Sequence, residues 1–284
     1  MGGRLSAIES GGGEAVLAIA FLFSAALLAG AINVLAGGGG LLVFPALLLA
    51  GVLPISANAT SAVGIWVGSV ISSWAYRKEL KPVAGRLWPL TLISLAGGGL
   101  GAWLLLHFSD EGFGQVVPYL VAGGTLLFAI TPNLSKLSAT RAAALKGSHL
   151  KNNDVSPSSP SLNQPTLLMG QGIIATYGGF FGGGAGILML TLLSLTNPGQ
   201  LHGQLQTLQA VKLWMALCIN AAAISYFLFA NVINWPYAVV VALGTSLGGY
   251  SSVYLARRVS AVWLRRLVIA IGTVLSIYFF AATA

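Results

Sequence analysis

Two apolar stretches of this chain are too short to cross a bilayer, and each follows a cluster of glycines. The first lies in AINVLAGGGGLLVFPALLLAGVLP, Ala31 to Pro54, where Gly37, Gly38, Gly39 and Gly40 interrupt an oily run. The second runs from Ile187 to Thr196, just after Gly182, Gly183 and Gly184. A helix rises about 1.5 Å per residue, so neither Leu41 to Leu53 nor Ile187 to Thr196 covers the ~30 Å of hydrocarbon. Longer apolar segments surround them. In the first half they run about Ala15 to Ala36, Ser56 to Tyr76, Leu87 to Phe108 and Val116 to Thr131. In the second they run about Thr166 to Phe181, Gln200 to Phe229, Trp235 to Ala256 and Val262 to Ala282.

These runs are continuous and lack the period-two alternation of a lipid-facing barrel strand, so the spans are predicted to be helical. Charge supports the bilayer as their solvent: only 7% of residues are charged, against roughly a quarter in soluble domains. The net charge of +8 falls in loops at the ends of apolar runs rather than on an amphipathic face, which argues for membrane orientation and against a nucleic-acid partner. The lone Cys218, in an apolar run, supports neither a disulfide framework nor a metal site, and no cofactor is implied.

A polar stretch, Pro132 to Pro165, separates the halves and reads as a solvent-exposed linker. Shifting the sequence by about 147 residues lays AGGGGLLVFPALLL over GGAGILMLTLLSLT, so the halves read as repeats. In the first half Arg77, Lys78, Lys81 and Arg86 precede the fourth segment, and Asp110 with Glu111 precede the fifth. The second half has uncharged FANVINWP at the first of these places and Arg257, Arg258, Arg265 and Arg266 at the second. The basic loops have swapped, and the positive-inside rule then gives the halves opposite orientations. The expected fold is an all-α polytopic membrane protein of two inverted-topology repeats. Each repeat has a part-way helical hairpin broken at a glycine cluster, plus about three full spans. The divisions are an N-terminal tail over 1–14, repeat 1 over 15–131, a cytoplasmic linker over 132–165 and repeat 2 over 166–284, with both termini periplasmic.

Hairpins that turn near the midplane would begin their second arms with unpaired N–H groups, which survive at that depth only if buried in protein or lining a cavity. A helix N-terminus favours an anion, and glycine lets backbone approach it closely. Asn33, just before the first cluster, and Asn58, Thr60 and Ser61 in NATS could add donors. In the second half QLQTLQAVK sets Gln206, Gln209 and Lys212 at steps of three, close enough to one face to line a single cavity. If that helix begins at Gln200, Lys212 lies near mid-bilayer, and its removal should weaken anion binding while costing little stability. His202 marks the interface. No Asp or Glu falls within a marked segment, and nothing pairs a nucleophile with a base, so an intramembrane enzyme is not indicated. A carrier for a small anion is the reading; an anion channel or an uptake permease for another small anion is the alternative.

The run from Asn33 to Gly51, NVLAGGGGLLVFPALLLAG, the following ANAT, the YRKEL with its basic loop, and the second-half YGGFFGGGAGILML and LGGY resemble the sulfite exporter TauE/SafE family. The family typically shows an Asn near the position of Gln209, three residues before a Lys; here only the Lys is kept. The resemblance implies a carrier of the bacterial inner membrane that moves sulfite, sulfonates and related organosulfur anions, usually outward.

Overall fold

The computed structural model describes residues 2–35, 37–148, 162–197, 205–255 and 261–283, with side chains described over 16–35, 37–130, 162–197, 206–252 and 266–281. His202 and the middle of the expected linker lie outside the described residues. The described chain is helical, without strands. In order, the helices are α1 (Gly2–Leu35), α2 (Gly40–Leu49), α3 (Pro54–Ala75), the single turn α4 (Arg77–Leu80), α5 (Trp88–Leu105), α6 (Asp110–Ser148), α7 (Pro165–Phe180), α8 (Ala185–Thr196), α9 (Leu205–Phe229), α10 (Trp235–Leu255) and α11 (Ala261–Thr283). A 3-10 turn over Lys81–Arg86 links α4 to α5.

Five helices are long and apolar enough to cross a membrane among the described residues: Val16–Leu35, Pro54–Ala75, Trp88–Leu105, Asp110–Ile130 and Gln206–Phe229. Large apolar side chains on their outer faces are exposed, Leu17, Leu100 and Leu126 among them, as on a surface that lipid covers. The short elements are α2, with 10 residues, and α8, with 12. They span about 15 and 18 Å. Their hairpin partners are longer: the apolar part of α1 has 20 residues and α7 has 16. Two helices also run beyond their apolar segments. Helix α1 starts at Gly2, inside the expected tail, and α6 continues to Ser148, inside the expected linker. The α6 extension runs through Ala, Leu, Lys and Arg positions that favour helix, and Pro132 alone does not end it; the α1 extension, with Gly2, Gly3 and Gly11 to Gly13, has no such local support.

Proline and a remote carboxylate set one of the other starts. Pro54 opens α3, where a missing N–H costs nothing, and Asp110 Oδ1 accepts the next amide, Ile55 N–H, at 2.9 Å. The carboxylate that begins α6 thereby caps α3.

Packing interlocks the two halves of the chain. Helix α10 lies against α1 and α3, and α5 lies against α7 and α9. Helices α6 and α11 pack on each other. Glycines make the closest approaches. A Cβ on Gly248 would run into Leu27 O, and one on Gly30 into Thr245 O, both at the α1–α10 contact. On the other side, Gly98 and Gly179 meet backbone to backbone, as do Gly101 and Thr176. Between these flanks lie the two hairpin tips, wrapped by Phe44, Phe113 and Phe181. Phe44 meets Phe181 edge to face at 5.2 Å between centroids and Phe113 at 6.2 Å.

Candidate functional site

The chain leaves α1 at Leu35 and re-enters helix at Gly40, and it leaves α7 at Phe180 and re-enters at Ala185. Each crossing needs a left-handed backbone: φ is +83° at Gly37, +75° at Gly182 and +82° at Gly184. Only glycine takes that conformation without strain. The two tips touch directly. A Cβ on Gly37 would lie 2.6 Å from Gly186 C, and one on Gly40 would lie 3.4 Å from Gly183 Cα.

Four helix ends therefore meet in one place. The last carbonyls of α1 and α7 and the first amides of α2 and α8 have no partners within their own helices. The α1 end is closed from α9: Gln209 Nε2 donates to Leu35 O at 3.2 Å, and Lys212 Nζ donates to Asn33 O and Val34 O, each at 3.1 Å. The α7 end is closed from α3, where Asn58 Nδ2 donates to Phe180 O at 3.1 Å. On the amide side no hydrogen bond is described for Gly40 N–H or Gly186 N–H.

Beside the tips is a cavity of about 50 Å³, enough for a water or two or a small oxyanion. Gly37, Gly40, Gly182 and Gly186 line it from the tips, Asn58 and Ser61 from α3, and Lys212 and Asn220 from α9. Among the described residues Lys212 is the one charged side chain in this lining, and it is 1% exposed. An ammonium has three N–H donors. Two are engaged by α1, which leaves one for the cavity.

Of the residues proposed from the sequence, Asn33, Gly37, Gly40, Asn58, Ser61, Gly182 and Lys212 come together here. The rest do other things. Gly38 and Gly39 fit under Phe128 and against Ala29 and Asn33, so they serve packing. Gly183 is hemmed in by Phe181 and Leu41, and its carbonyl accepts Tyr177 Oη–H at 2.6 Å. Gly184 is the left-handed cap of α8. Thr60 Oγ1 accepts Asn234 N–H at 3.0 Å on the opposite side of α3. Gln206 is exposed, and Gln209 serves the α1 end. The bonds of Lys212 to α1 also alter the expected cost of removing it: the side chain closes a helix terminus as well as facing the cavity.

The residues missed are mainly small ones. Gly178, Gly179 and Gly186 line the cavity, and so does Asn220, whose Nδ2 donates to Ala216 O one turn back. Gly186 follows Gly182 by four residues, a proximity visible in the sequence. Nothing there marked Asn220.

A model of the sulfite exporter TauE/SafE family matches residues 22–279. The chain belongs to this family. Among relatives, "Probable membrane transporter protein ORF9" of Sinorhizobium sp is 27% identical over 260 residues, covering 91% of each chain. A "Probable membrane transporter protein" of Haemophilus influenzae is 26% identical over 81% of this chain and 82% of its own. "Probable membrane transporter protein YfcA" of Escherichia coli K12 is 25% identical over 92% of this chain and 88% of its own. No solved structure matches. This TauE/SafE protein is a multi-pass membrane transporter rather than an enzyme, and the helix breaks at its centre belong to a transport protein.

Proposed function

We propose that this TauE/SafE protein carries sulfite, a sulfonate or a related small organosulfur anion across the bacterial inner membrane, outward, by alternating access around the cavity at the helix breaks. The observation that carries this reading is one buried ammonium with a free N–H, Lys212, facing a cavity that the unpaired amides of Gly40 and Gly186 also border. Two helix N-termini and one full positive charge converge there, an arrangement that favours an anion. A cavity this small suits a carrier that encloses its substrate better than a channel, which needs a continuous path. The sulfur chemistry comes from the family name alone. Binding of sulfite, taurine and short carboxylates to the purified protein tests it. Sulfur oxyanions should bind and Lys212→Met should weaken them by about 2 to 5 kcal/mol, as when one partner of a buried charge pair is lost. If carboxylates bind as well as sulfite in the wild type, the organosulfur assignment falls.

The same reading includes two inverted repeats. It is supported by the crossed packing, α10 on α1 and α3 against α5 on α7 and α9, by the Trp-Pro pairs that open α5 and α10, and by the swapped basic loops. Both termini then face the periplasm and the central linker the cytoplasm. Single cysteines introduced at Ser158 and Ala284 should label from opposite sides; labelling from one side overturns the topology.

A further inference from the structure

The two helix breaks follow one pattern, and one of them lacks its cation. Asn58 serves the last carbonyl of α7, Phe180 O, as Gln209 serves the last carbonyl of α1, Leu35 O. Three residues after Gln209 comes Lys212, and three residues after Asn58 comes Ser61. The ammonium of Lys212 sits on the carbonyls one and two residues before the end of α1, those of Val34 and Asn33. The corresponding carbonyls of α7 belong to Gly179 and Gly178, and no hydrogen bond is described to either. Ser61, Asn58, Gly178 and Gly179 all line the cavity.

The acceptors left over at this second corner are all uncharged oxygens, beside one spare N–H on each amide and the Ser61 O–H. Asn58 is 4% exposed and gives one N–H to Phe180 O, which leaves its Oδ1 and a second N–H. Asn220 gives one N–H to Ala216 O and keeps its Oδ1 and a second N–H. The Ser61 hydroxyl, also 4% exposed, has no described partner. An anion gains nothing from carbonyl oxygens. A helix C-terminus carries about half a negative charge, which Lys212 offsets at α1 and no basic side chain of the cavity lining offsets at α7. Hard, neutral oxygens without a carboxylate suit a monovalent cation rather than Ca²⁺ or a transition metal. Broken half-helices that end in free carbonyls hold sodium in carriers of other folds.

We propose that the corner formed by Asn58, Ser61, Asn220 and the carbonyls of Gly178 and Gly179 binds one sodium ion, in the position that corresponds to the Lys212 ammonium. The ion site stands on these oxygens alone. Its role as a coupling ion rests on the carrier reading: a dianion between Lys212 and Na⁺ is neutralised from both sides, so the two ligands favour each other's binding.

Equilibrium binding of ²²Na⁺ to the purified full-length chain, in choline chloride with no sulfur anion present, tests the site. One saturable Na⁺ per chain is expected. Ser61→Ala should weaken it at least about tenfold, as loss of one inner ligand does. Ser61→Lys places a tethered ammonium in the corner, as α9 already does in the other, and should abolish ²²Na⁺ binding with the protein still monodisperse. If Ser61→Lys does not fold, Ser61→Ala decides. Absence of saturable ²²Na⁺ binding in the wild type, unchanged affinity in Ser61→Ala, or binding that persists in folded Ser61→Lys overturns the proposal. Because no anion is present, the result is separate from the anion assay: a protein that binds Na⁺ and no sulfur anion sinks the organosulfur reading and keeps this one.

Discussion

The break after α1 and the break after α7 meet back to back, each turned by glycines, with one left-handed residue in the first and two in the second, and each with an amide cap reaching in from the other half of the chain. They differ most in the charge that closes them. The α1 end is closed by a neutral amide and an ammonium, and the α7 end by a neutral amide alone. The difference shows how two helix breaks of similar build can give one cavity two unlike sides. Glycines shape both tips, and Lys212, three residues after the capping Gln209 where Ser61 stands three after the capping Asn58, gives the cavity a positive side.

The largest effect should come from abolishing the contact that brings the breaks together. Gly37→Val forces a β-branched residue to φ +83° and drives its side chain into Gly186. Left-handed strain and overpacking together should cost about 3 to 5 kcal/mol. Thermal melting of the detergent-solubilised protein should show the variant unfolded or melting far below wild type. A variant that melts normally would mean that the tips are not held together as described.

The next pair of substitutions measures the difference between the breaks. Lys212→Met removes two charge-assisted hydrogen bonds from the α1 end and relieves the burial of an ammonium, for a net loss of about 2 to 3 kcal/mol. Asn58→Ala removes one neutral hydrogen bond and leaves Phe180 O unpaired, which should cost about 1 to 2 kcal/mol. The same melting assay ranks them. If Asn58→Ala is the more damaging, the charge is not what distinguishes the α1 break.

How far this asymmetry could be read from the sequence depends on the residue. The apolar runs and the two glycine clusters report solvent and chain reversal directly, so the helical membrane fold, the short α2 and α8, and Lys212 as the deep charge were all legible. What was not legible is which side of a helix faces which neighbour. Residues three apart are about 60° apart around a helix, so Gln206 and Lys212 end up some 120° apart. That turn carries Gln206 out to the surface while Lys212 points inward. Thr60 sits between two cavity residues in the chain and faces away from both for the same reason. The crossing of α5 and α10 into the opposite halves has no local signal at all, and it is this crossing that sets Gly98 against Gly179 and so fixes the wall of the cavity.

The smallest effect should come from Gln209, and it sharpens the comparison most. Its Nε2 donates to Leu35 O at 3.2 Å, but its Oε1 is buried without a partner. An unpaired buried carbonyl carries a cost comparable to the gain from one neutral hydrogen bond. Gln209→Leu removes the bond and the orphan oxygen together in a side chain of similar bulk, so stability should change by less than about 1 kcal/mol. Anion binding should be unaffected, since Gln209 does not border the cavity. Lys212→Met, one turn further along α9, should by contrast lose both stability and binding. If Gln209→Leu proved as costly as Lys212→Met, the α1 end would depend on amide capping just as the α7 end does. The ammonium would then be an addition to the cavity rather than part of the break, and the two breaks would be alike in construction.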